Sequence, residues 1–269
     1  MTIWLNGEWQ NEQLSTGALS GWGVFTTLGV WSGKAFAIDE HLARLRRDAG
    51  RAHVPLDCDD DILRIALRET IARNEVRHGA ARISLLRRGD GRWNDSEGSD
   101  IWVLAKSTPE IRRTFRLAIS PYRTESRRAL AGVKTTSQLD FLLAAREAQS
   151  RGFDDAILLD SQNDLCECSR ANLFWTQDET LFTPSLESGC LPGIARAMIL
   201  DWARKIGIEA RENKFSLCEL EKADEVFISS STLGAHGVSV VGFDEKEIEY
   251  ACGAQTKFFS ERWQAAVNK

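Results

Sequence analysis

A chain of 269 residues with 43% hydrophobic and 27% charged residues has the composition of a globular protein and the length for two domains. The net charge of −5, from 34 basic and 39 acidic residues, argues against nucleic acid as a partner, and no apolar run approaches the roughly 18–20 residues of a membrane span. The opening MTIWLNGEWQ lacks a secretory signal pattern, and six dispersed cysteines without a CxxC pair predict reduced thiols, a cytoplasmic protein and no metal site.

The first part of the chain predicts a mixture of strands and helices. Strands are predicted for IWLNGEW and WGVFTTLGVW, followed by a helix that Asp39 caps. The apolar face of a second helix is predicted from Ile62, Ile65, Ala66 and Ile71. Two further strands are predicted for ARISLLRR and DIWVLAKS. Residues 1–119 are therefore expected to form a small N-terminal α/β domain.

The remainder predicts an interdomain connection and a larger domain. Residues 120–131 are polar, basic and weakly periodic, which is typical of a connection. An amphipathic helix (QLDFLLAAREAQSRG) follows, then strands AILLD, LCECSRANLFW and TLFTP, and a helix after Pro192 and Gly193. Ser216 and Glu219 have the spacing of a capping box for a short helix. With strands EVFIS and GVSVV and a last helix near Gln255, residues 132–269 predict an α/β domain that carries the chemistry.

Four short motifs occur in a fixed order along the chain. They are HLARL at 41–45, VKTT at 133–136, ECSRANLF at 167–174 and LPGIAR at 191–196. Each is unspecific alone, because a lysine after a strand is usually a surface residue and a Pro-Gly pair usually only begins a helix. Their joint occurrence, with a helix containing Arg-Glu-Ala after the lysine, is far more specific.

This pattern resembles the class IV (fold type IV) pyridoxal-phosphate enzymes, which include branched-chain aminotransferases, D-amino-acid aminotransferases and aminodeoxychorismate lyases. The likeness extends from IWLNGEW to the late strand FISSST. It implies a two-domain α/β (α+β) fold with a small N-terminal domain and a larger, barrel-like C-terminal domain. It also implies pyridoxal phosphate bound between the domains and a homodimer.

The resemblance assigns a role to each cofactor residue. Lys134 would carry pyridoxal phosphate through its amine and move protons at the substrate carbon. Glu167 resembles the glutamate that pairs with the pyridine nitrogen, and Arg44 resembles the arginine that binds the phosphate.

Five further positions match cofactor contacts of the family. Gly193, Ile194 and Ala195 begin a helix, where free N–H groups favour a phosphate, although relatives often carry threonine in place of Ala195. Ser231 matches a hydroxyl that contacts phosphate, but its serine-rich run is also compatible with a simple polar turn. Asn172 matches the motif asparagine, for which we expect a scaffolding role.

The cofactor residues do not distinguish a lyase from a transaminase, because both reactions need Lys134 as acid and base. Three features favour the lyase: FTT at 25–27, in which Thr27 would face the substrate; ECSRANLFW, close to a form found in lyases; and Leu139, where branched-chain aminotransferases carry tyrosine. The expected activity is therefore 4-amino-4-deoxychorismate lyase, which serves folate synthesis.

One feature opposes that expectation. Gln138 stands where lyases often carry an arginine that could meet a substrate carboxylate. Arg82, Arg87 or Arg88, on a strand where relatives place cationic substrate contacts, could compensate or could be solvated charges. An amino acid aminotransferase remains the alternative, and an inactive binding protein is a minor one.

Overall fold

A computed structural model describes residues 2–5, 8–11, 17, 20–89, 98–109, 113–244 and 246–268. These residues form fifteen strands and six α-helices, so the predicted mixed α/β class is confirmed. The first two strands, β1 (Thr2–Leu5) and β2 (Glu8–Asn11), make a separate antiparallel hairpin where the sequence predicted one strand. The other strands form two curled sheets, one small and one large.

The small sheet is antiparallel, with the order β4-β3-β5-β6. Its strands are β3 (Gly23–Trp31), β4 (Lys34–Ala35), β5 (Gly79–Arg87) and β6 (Ser99–Ser107). Helices α1 (Ile38–Arg51) and α2 (Asp60–Arg73) pack on it. Together they enclose a core that includes Val24, Leu28, Leu42, Leu45, Leu67 and Ile83.

Two details of the helix predictions for this region were wrong. Helix α1 begins at Ile38 after Ala37, which has φ 54°, and Asp39 lies in the first turn without capping it. The buried face of α2 is Leu63, Leu67 and Ile71, at a strict four-residue step, whereas Ile62 and Ile65 are 56% and 47% exposed. Both apolar stripes have helical spacing, and only packing against the sheet selects between them.

The large sheet has the strand order β12-β11-β10-β13-β14-β7-β8-β9, and β15 pairs with β14. In chain order its strands are β7 (Phe115–Thr124), β8 (Asp155–Asp160), β9 (Leu165–Cys168), β10 (Asn172–Gln177), β11 (Thr180–Pro184), β12 (Ala210–Asn213), β13 (Glu225–Ser230), β14 (Gly234–Gly242) and β15 (Glu247–Glu249). Its helices are α3 (Leu139–Ser150), α4 (Ile194–Lys205), α5 (Cys218–Glu221) and α6 (Ala254–Val267). Strand β7 is parallel to both of its neighbours, β14 and β8.

The segment between the sheets differs from the predicted connection. Ser120–Thr124 belong to β7, and turns occupy most of residues 126–132. The basic composition hid this strand end because Tyr122 and Arg123 are exposed while Ser120 is buried. The predicted domain limits, 1–119 and 132–269, stay a prediction. The predicted capping box is also wrong, since Leu217 precedes α5 and no side-chain cap bond is made among the described residues.

Candidate functional site

A cavity of about 370 Å³ lies between the two sheets. Its wall combines side chains of β3, β5 and α1 with the segment before α3, the β9–β10 turn and the start of α4. Nearly all of the predicted site residues line it: Lys134, Thr27, Glu167, Arg44, Gly193, Ile194, Ala195, Ser231, Asn172, Arg82 and Gln138. Arg87 lies apart from this wall, with its guanidinium 4.4 Å from the centre of the Trp22 ring and Nη1 donating to the His53 carbonyl at 2.5 Å.

Lys134 is held by its backbone against the small sheet. Its N–H donates to Asp48 Oδ2 at 3.1 Å, and its carbonyl accepts from the Phe25 N–H at 2.9 Å. The amine Nζ lies 4.7 Å from the centre of the Phe25 ring. Burial, and then the positive charge of Arg44, lower the pKa of Lys134 to about 8, against the opposing pull of Glu167. A lowered pKa enlarges the neutral fraction of the amine, which is the nucleophilic form.

Glu167 is a buried carboxylate on β9. Its Oε2 accepts a hydrogen bond from the Leu191 N–H at 3.1 Å. Burial raises the pKa of Glu167 to about 7, and the Leu191 N–H and the Lys134 amine oppose that rise. A cationic N–H brought against this oxygen atom would favour the ionised carboxylate, which is the partner that a protonated pyridine nitrogen needs.

Arg44 belongs to a buried network that the motif analysis missed. Its Nη2 donates to Thr26 Oγ1 at 2.9 Å, and the same hydroxyl is hydrogen-bonded to His41 Nδ1 at 2.6 Å. Burial, followed by the charges of Arg44 and Lys134, lowers the pKa of His41 to about 3, which keeps the imidazole neutral. Burial also lowers the pKa of Arg44, to about 10, and the guanidinium stays charged at neutral pH. A signal was available, because His41 and Arg44 have the i, i+3 spacing of one helix face.

The N-terminus of α4 presents backbone donors to the cavity. The first helical hydrogen bond runs from the Ala197 N–H to the Gly193 carbonyl, and no side chain of the described residues caps this end. Asn172 supports the preceding turn, since its Nδ2 donates to the Leu191 carbonyl at 2.8 Å. A Cβ at Gly193 would lie 2.0 Å from Asn172 Oδ1, so this close approach requires glycine.

Together these groups fit pyridoxal phosphate. The phosphate would meet Arg44, the α4 N–H groups and the hydroxyls that follow β13, including Ser231. Arg44 Nε and Ser229 Oγ are buried atoms without a partner among the described residues, as expected of donors that await an anion. Lys134 and Glu167 would supply the amine and the carboxylate that the ring of the cofactor requires.

Other residues of the cavity wall are candidates to contact a substrate. Thr27 and Arg82 are direct partners in the β3–β5 register, and both line the wall. The Arg82 guanidinium lies 3.6 Å from the centre of the Phe25 ring, and its Nε donates to Ser84 Oγ at 2.9 Å. Gln138 donates from Nε2 to the Thr135 carbonyl at 2.8 Å. Arg128, which sequence analysis did not single out, lies on the same wall.

Comparison with known proteins shows the family. The family model "Amino-transferase class IV" matches residues 23–241. The chain is 30% identical to the D-alanine aminotransferase of Listeria innocua over 218 residues, which are 78% of this chain and 75% of that protein. Among solved structures, the branched-chain amino acid aminotransferase of Escherichia coli superposes with TM-score 0.85 at 27% identity, covering 98% of this chain and 93% of that one. The 4-amino-4-deoxychorismate lyase of Pseudomonas aeruginosa superposes with TM-score 0.81 at 27% identity, covering 97% and 98%.

The chain therefore belongs to the class IV aminotransferase family. Enzymes of this family use pyridoxal phosphate, so the resemblance and the cofactor predicted from the four motifs are confirmed. The matched proteins include both aminotransferases and a lyase. Among the described residues, no helix combines the length and apolar character that a membrane span requires.

Proposed function

We propose that this member of the class IV aminotransferase family is a 4-amino-4-deoxychorismate lyase, which cleaves its substrate into pyruvate and 4-aminobenzoate. The observation that carries the proposal is the Thr27–Arg82 pair on the cavity wall, beside the Lys134 amine. A hydroxyl and a guanidinium side by side are suited to bind a carboxylate of the substrate.

The residues of the chain divide the work of this reaction. Bound pyridoxal phosphate supplies the electron-withdrawing ring that stabilises negative charge at the substrate carbon. Lys134 would take a proton from the substrate and return one to the departing pyruvate. Glu167 would keep the pyridine nitrogen protonated, and Arg44 would hold the phosphate. The Arg82 guanidinium and the Thr27 hydroxyl would orient the substrate.

The surroundings of Lys134 also support the lyase over a branched-chain aminotransferase. Leu139 is 66% exposed at the start of α3 and offers no hydroxyl to the cavity, where branched-chain aminotransferases carry tyrosine. Successive side chains of a strand alternate, so Thr26 points toward α1, where it bonds to Arg44, and Thr27 lies on the cavity wall.

A second candidate is an aminotransferase that acts on amino acids. Gln138 supports it, because lyases often carry an arginine at this position and an amide offers no positive charge to a carboxylate. The Gln138 Nε2 is also already hydrogen-bonded to the Thr135 carbonyl. The 30% identity to a D-alanine aminotransferase supports it as well.

The two candidates differ in their need for a second substrate. The test mixes the holoenzyme with 4-amino-4-deoxychorismate and no keto acid, and measures 4-aminobenzoate and pyruvate. The lyase predicts equal amounts of both products over many turnovers. Product limited to one equivalent per site, or none, would reject the lyase. Conversion of the cofactor to its pyridoxamine form by D- or L-amino acids would then establish the aminotransferase.

We further propose a cytoplasmic homodimer that acts in folate synthesis, as the resemblance implies. Light scattering of the holoenzyme at micromolar concentration should give twice the 30.1 kDa mass of the chain. A mass of one chain under those conditions would reject the dimer.

A further inference from the structure

Two guanidinium groups on the cavity wall have no anionic partner in the described part of the chain. No carboxylate oxygen there lies within the 4.0 Å of an ion pair from Arg82 or Arg128. Arg170, also on the wall, differs, because its Nε lies 3.5 Å from Asp155 Oδ2 and its Nη2 donates to the Asp154 carbonyl. Half-buried cations without counter-ions are costly unless a ligand brings the negative charge.

The cofactor accounts for the other charged groups. Arg44 would bind its phosphate, Glu167 would pair with its ring nitrogen, and the Lys134 amine would form the covalent link. The Arg128 charge also acts on Glu167, whose pKa it lowers, but neither Arg128 nor Arg82 forms an ion pair among the described residues. Both guanidinium groups are therefore available to a substrate, which gives the cavity wall two positive charges for it.

Arg128 is placed for such a role by the turns that precede Lys134. The Arg128 N–H donates to the Glu125 carbonyl at 3.4 Å, and its own carbonyl accepts from the Ala131 N–H at 3.0 Å. Its guanidinium carbon lies 5.4 Å from the centre of the Phe141 ring on α3. Nε is buried and has no hydrogen-bond partner among the described residues. The backbone is thus held, while the guanidinium has no hydrogen-bond acceptor among the residues that the structure describes.

We propose that Arg128 binds a second substrate carboxylate, so that Arg82 and Arg128 together select substrates with two carboxylates. This inference rests on the proposed function, because 4-amino-4-deoxychorismate carries one carboxylate on its ring and one on its enolpyruvyl group. Each guanidinium would take one of them through charge-assisted hydrogen bonds. An amino acid with a single carboxylate would leave one cation unpaired, which would weaken its binding.

The test measures binding without turnover. Chorismate has the two carboxylates but a hydroxyl where the substrate has its amine, so it cannot react with the cofactor. Shikimate is a related ring with one carboxylate. Isothermal titration of the holoenzyme should give an affinity for chorismate at least about tenfold greater than that for shikimate, since a hydrogen bond between charged groups contributes about 1.5–3 kcal/mol.

Variants then assign the difference to Arg128. Arg128→Gln should bring the chorismate-to-shikimate affinity ratio close to one and leave shikimate binding within about twofold of the wild type. Arg128→Lys, which keeps the charge, should retain part of the ratio. The matched control is Arg127→Gln, because Arg127 is the exposed neighbour on the same segment and should leave the ratio unchanged. Circular dichroism and the absorbance of bound cofactor establish that each variant is folded and loaded.

Three results would overturn the proposal. The first is an unchanged ratio in Arg128→Gln, and the second is an equal loss of both ligands. The third is loss of the cofactor from Arg128→Gln under conditions where Arg127→Gln retains it, since Arg128 would then serve the cofactor. Failure of the lyase itself is separate: no aminobenzoate together with an Arg128-dependent ratio would reject the reaction and keep the carboxylate site. Turnover to aminobenzoate with an unchanged ratio in Arg128→Gln would keep the lyase and reject the carboxylate site.

Discussion

The two ends of the cavity are built differently. At the cofactor end, Thr26, His41 and Asp48 are completely buried, and each bonds to a group that would hold the cofactor or to its neighbour. At the substrate end, Arg82 and Arg128 are half-buried, and their guanidinium groups make few bonds to the protein. A fixed network suits a ligand that stays bound, whereas cations without an ion-pair partner among the described residues suit one that binds and leaves.

The cofactor end would serve every reaction of the family, whereas the substrate end would distinguish one reaction from another. Burial at the cofactor end lowers the pKa of Lys134 and raises that of Glu167, and these shifts serve a lyase and an aminotransferase equally. The number and position of cations at the substrate end decide which acids bind. Variants of the first region should therefore change cofactor attachment or the rate of the chemical step, and variants of the second should change substrate affinity.

The largest effect is expected from Lys134→Ala at the cofactor end. Lys134 is the one lysine among the described residues that line the cavity, so loss of its proposed roles in holding the cofactor and moving the proton should lower kcat/KM by more than about 10⁴-fold. After borohydride reduction, mass spectrometry of the wild type should find the cofactor mass on the peptide that contains Lys134. Lys106→Ala, at an exposed lysine, is the control and should keep both properties. A cofactor still attached in Lys134→Ala would place the site at another lysine.

Glu167→Gln should have the next largest effect. The amide keeps the shape and can still accept from the Leu191 N–H, but it does not stabilise a protonated ring nitrogen. We expect kcat to fall by about 10²–10³-fold with the cofactor still bound, by analogy with the removal of one preorganised electrostatic group. Stopped-flow absorbance measures the chemical step directly. An unchanged rate would remove the assigned electronic role.

The sequence could predict which main residues come together at one cavity because they occupy regular positions in short motifs; their roles toward the cofactor stay a prediction. Arg44 lies on a helix face, Glu167 lies on a strand, and Gly193 precedes a helix. The supporting residues escaped because their contacts are long-range: Thr26 and His41 are 15 residues apart, and Asp48 contacts a residue 86 positions away.

The substrate end was harder to predict. Arg82 and Arg87 occur on one strand with similar surroundings in sequence, yet Arg82 stacks on Phe25 at the cavity and Arg87 stacks on Trp22 outside it. They are five residues apart, so strand alternation alone turns them to opposite faces. Arg128 lies on an irregular segment with no periodicity to interpret. Its position depends on turns that only the folded chain reveals.

Arg82→Gln tests the substrate end. Loss of a charge-assisted hydrogen bond to the carboxylate should raise KM by about 10- to 100-fold, with cofactor content unchanged. Steady-state kinetics with 4-amino-4-deoxychorismate measure it. Arg88→Gln is the matched control, because Arg88 is an exposed arginine just after the same strand, outside the cavity wall, and is paired with Asp100. Equal changes in the two variants would mean that Arg82 has no specific contact with substrate.

Adjacent threonines sharpen the comparison within one strand. Thr26→Val removes the hydroxyl that is hydrogen-bonded to both Arg44 and His41, so both buried side chains lose a partner. This loss costs about 1–3 kcal/mol, and affinity for pyridoxal phosphate should therefore fall about tenfold. Thr26→Ser should restore it. Thr27→Val, on the cavity wall, should raise KM and leave cofactor affinity unchanged. Titration of the apoprotein by fluorescence measures the affinity, and equal effects at the two positions would contradict the division of roles.

The smallest effect concerns pH. Because the pKa of Lys134 is lowered from 10.5 to about 8, its neutral fraction rises about tenfold per pH unit below that value and levels off above it. The rate at which the apoprotein attaches pyridoxal phosphate should therefore rise up to about pH 8 and then become constant, whereas a free lysine would continue to gain toward pH 10.5. Arg82 is one of the cations that lower the pKa of Lys134. In Arg82→Gln the plateau should therefore begin at a slightly higher pH, whereas Arg88→Gln should not change it. A small amine measured in parallel corrects for ionisation of the cofactor. A wild-type rate that still climbs above pH 9 would mean that the amine is not held among these cations, and the cofactor end would then lack the tuning that its burial implies.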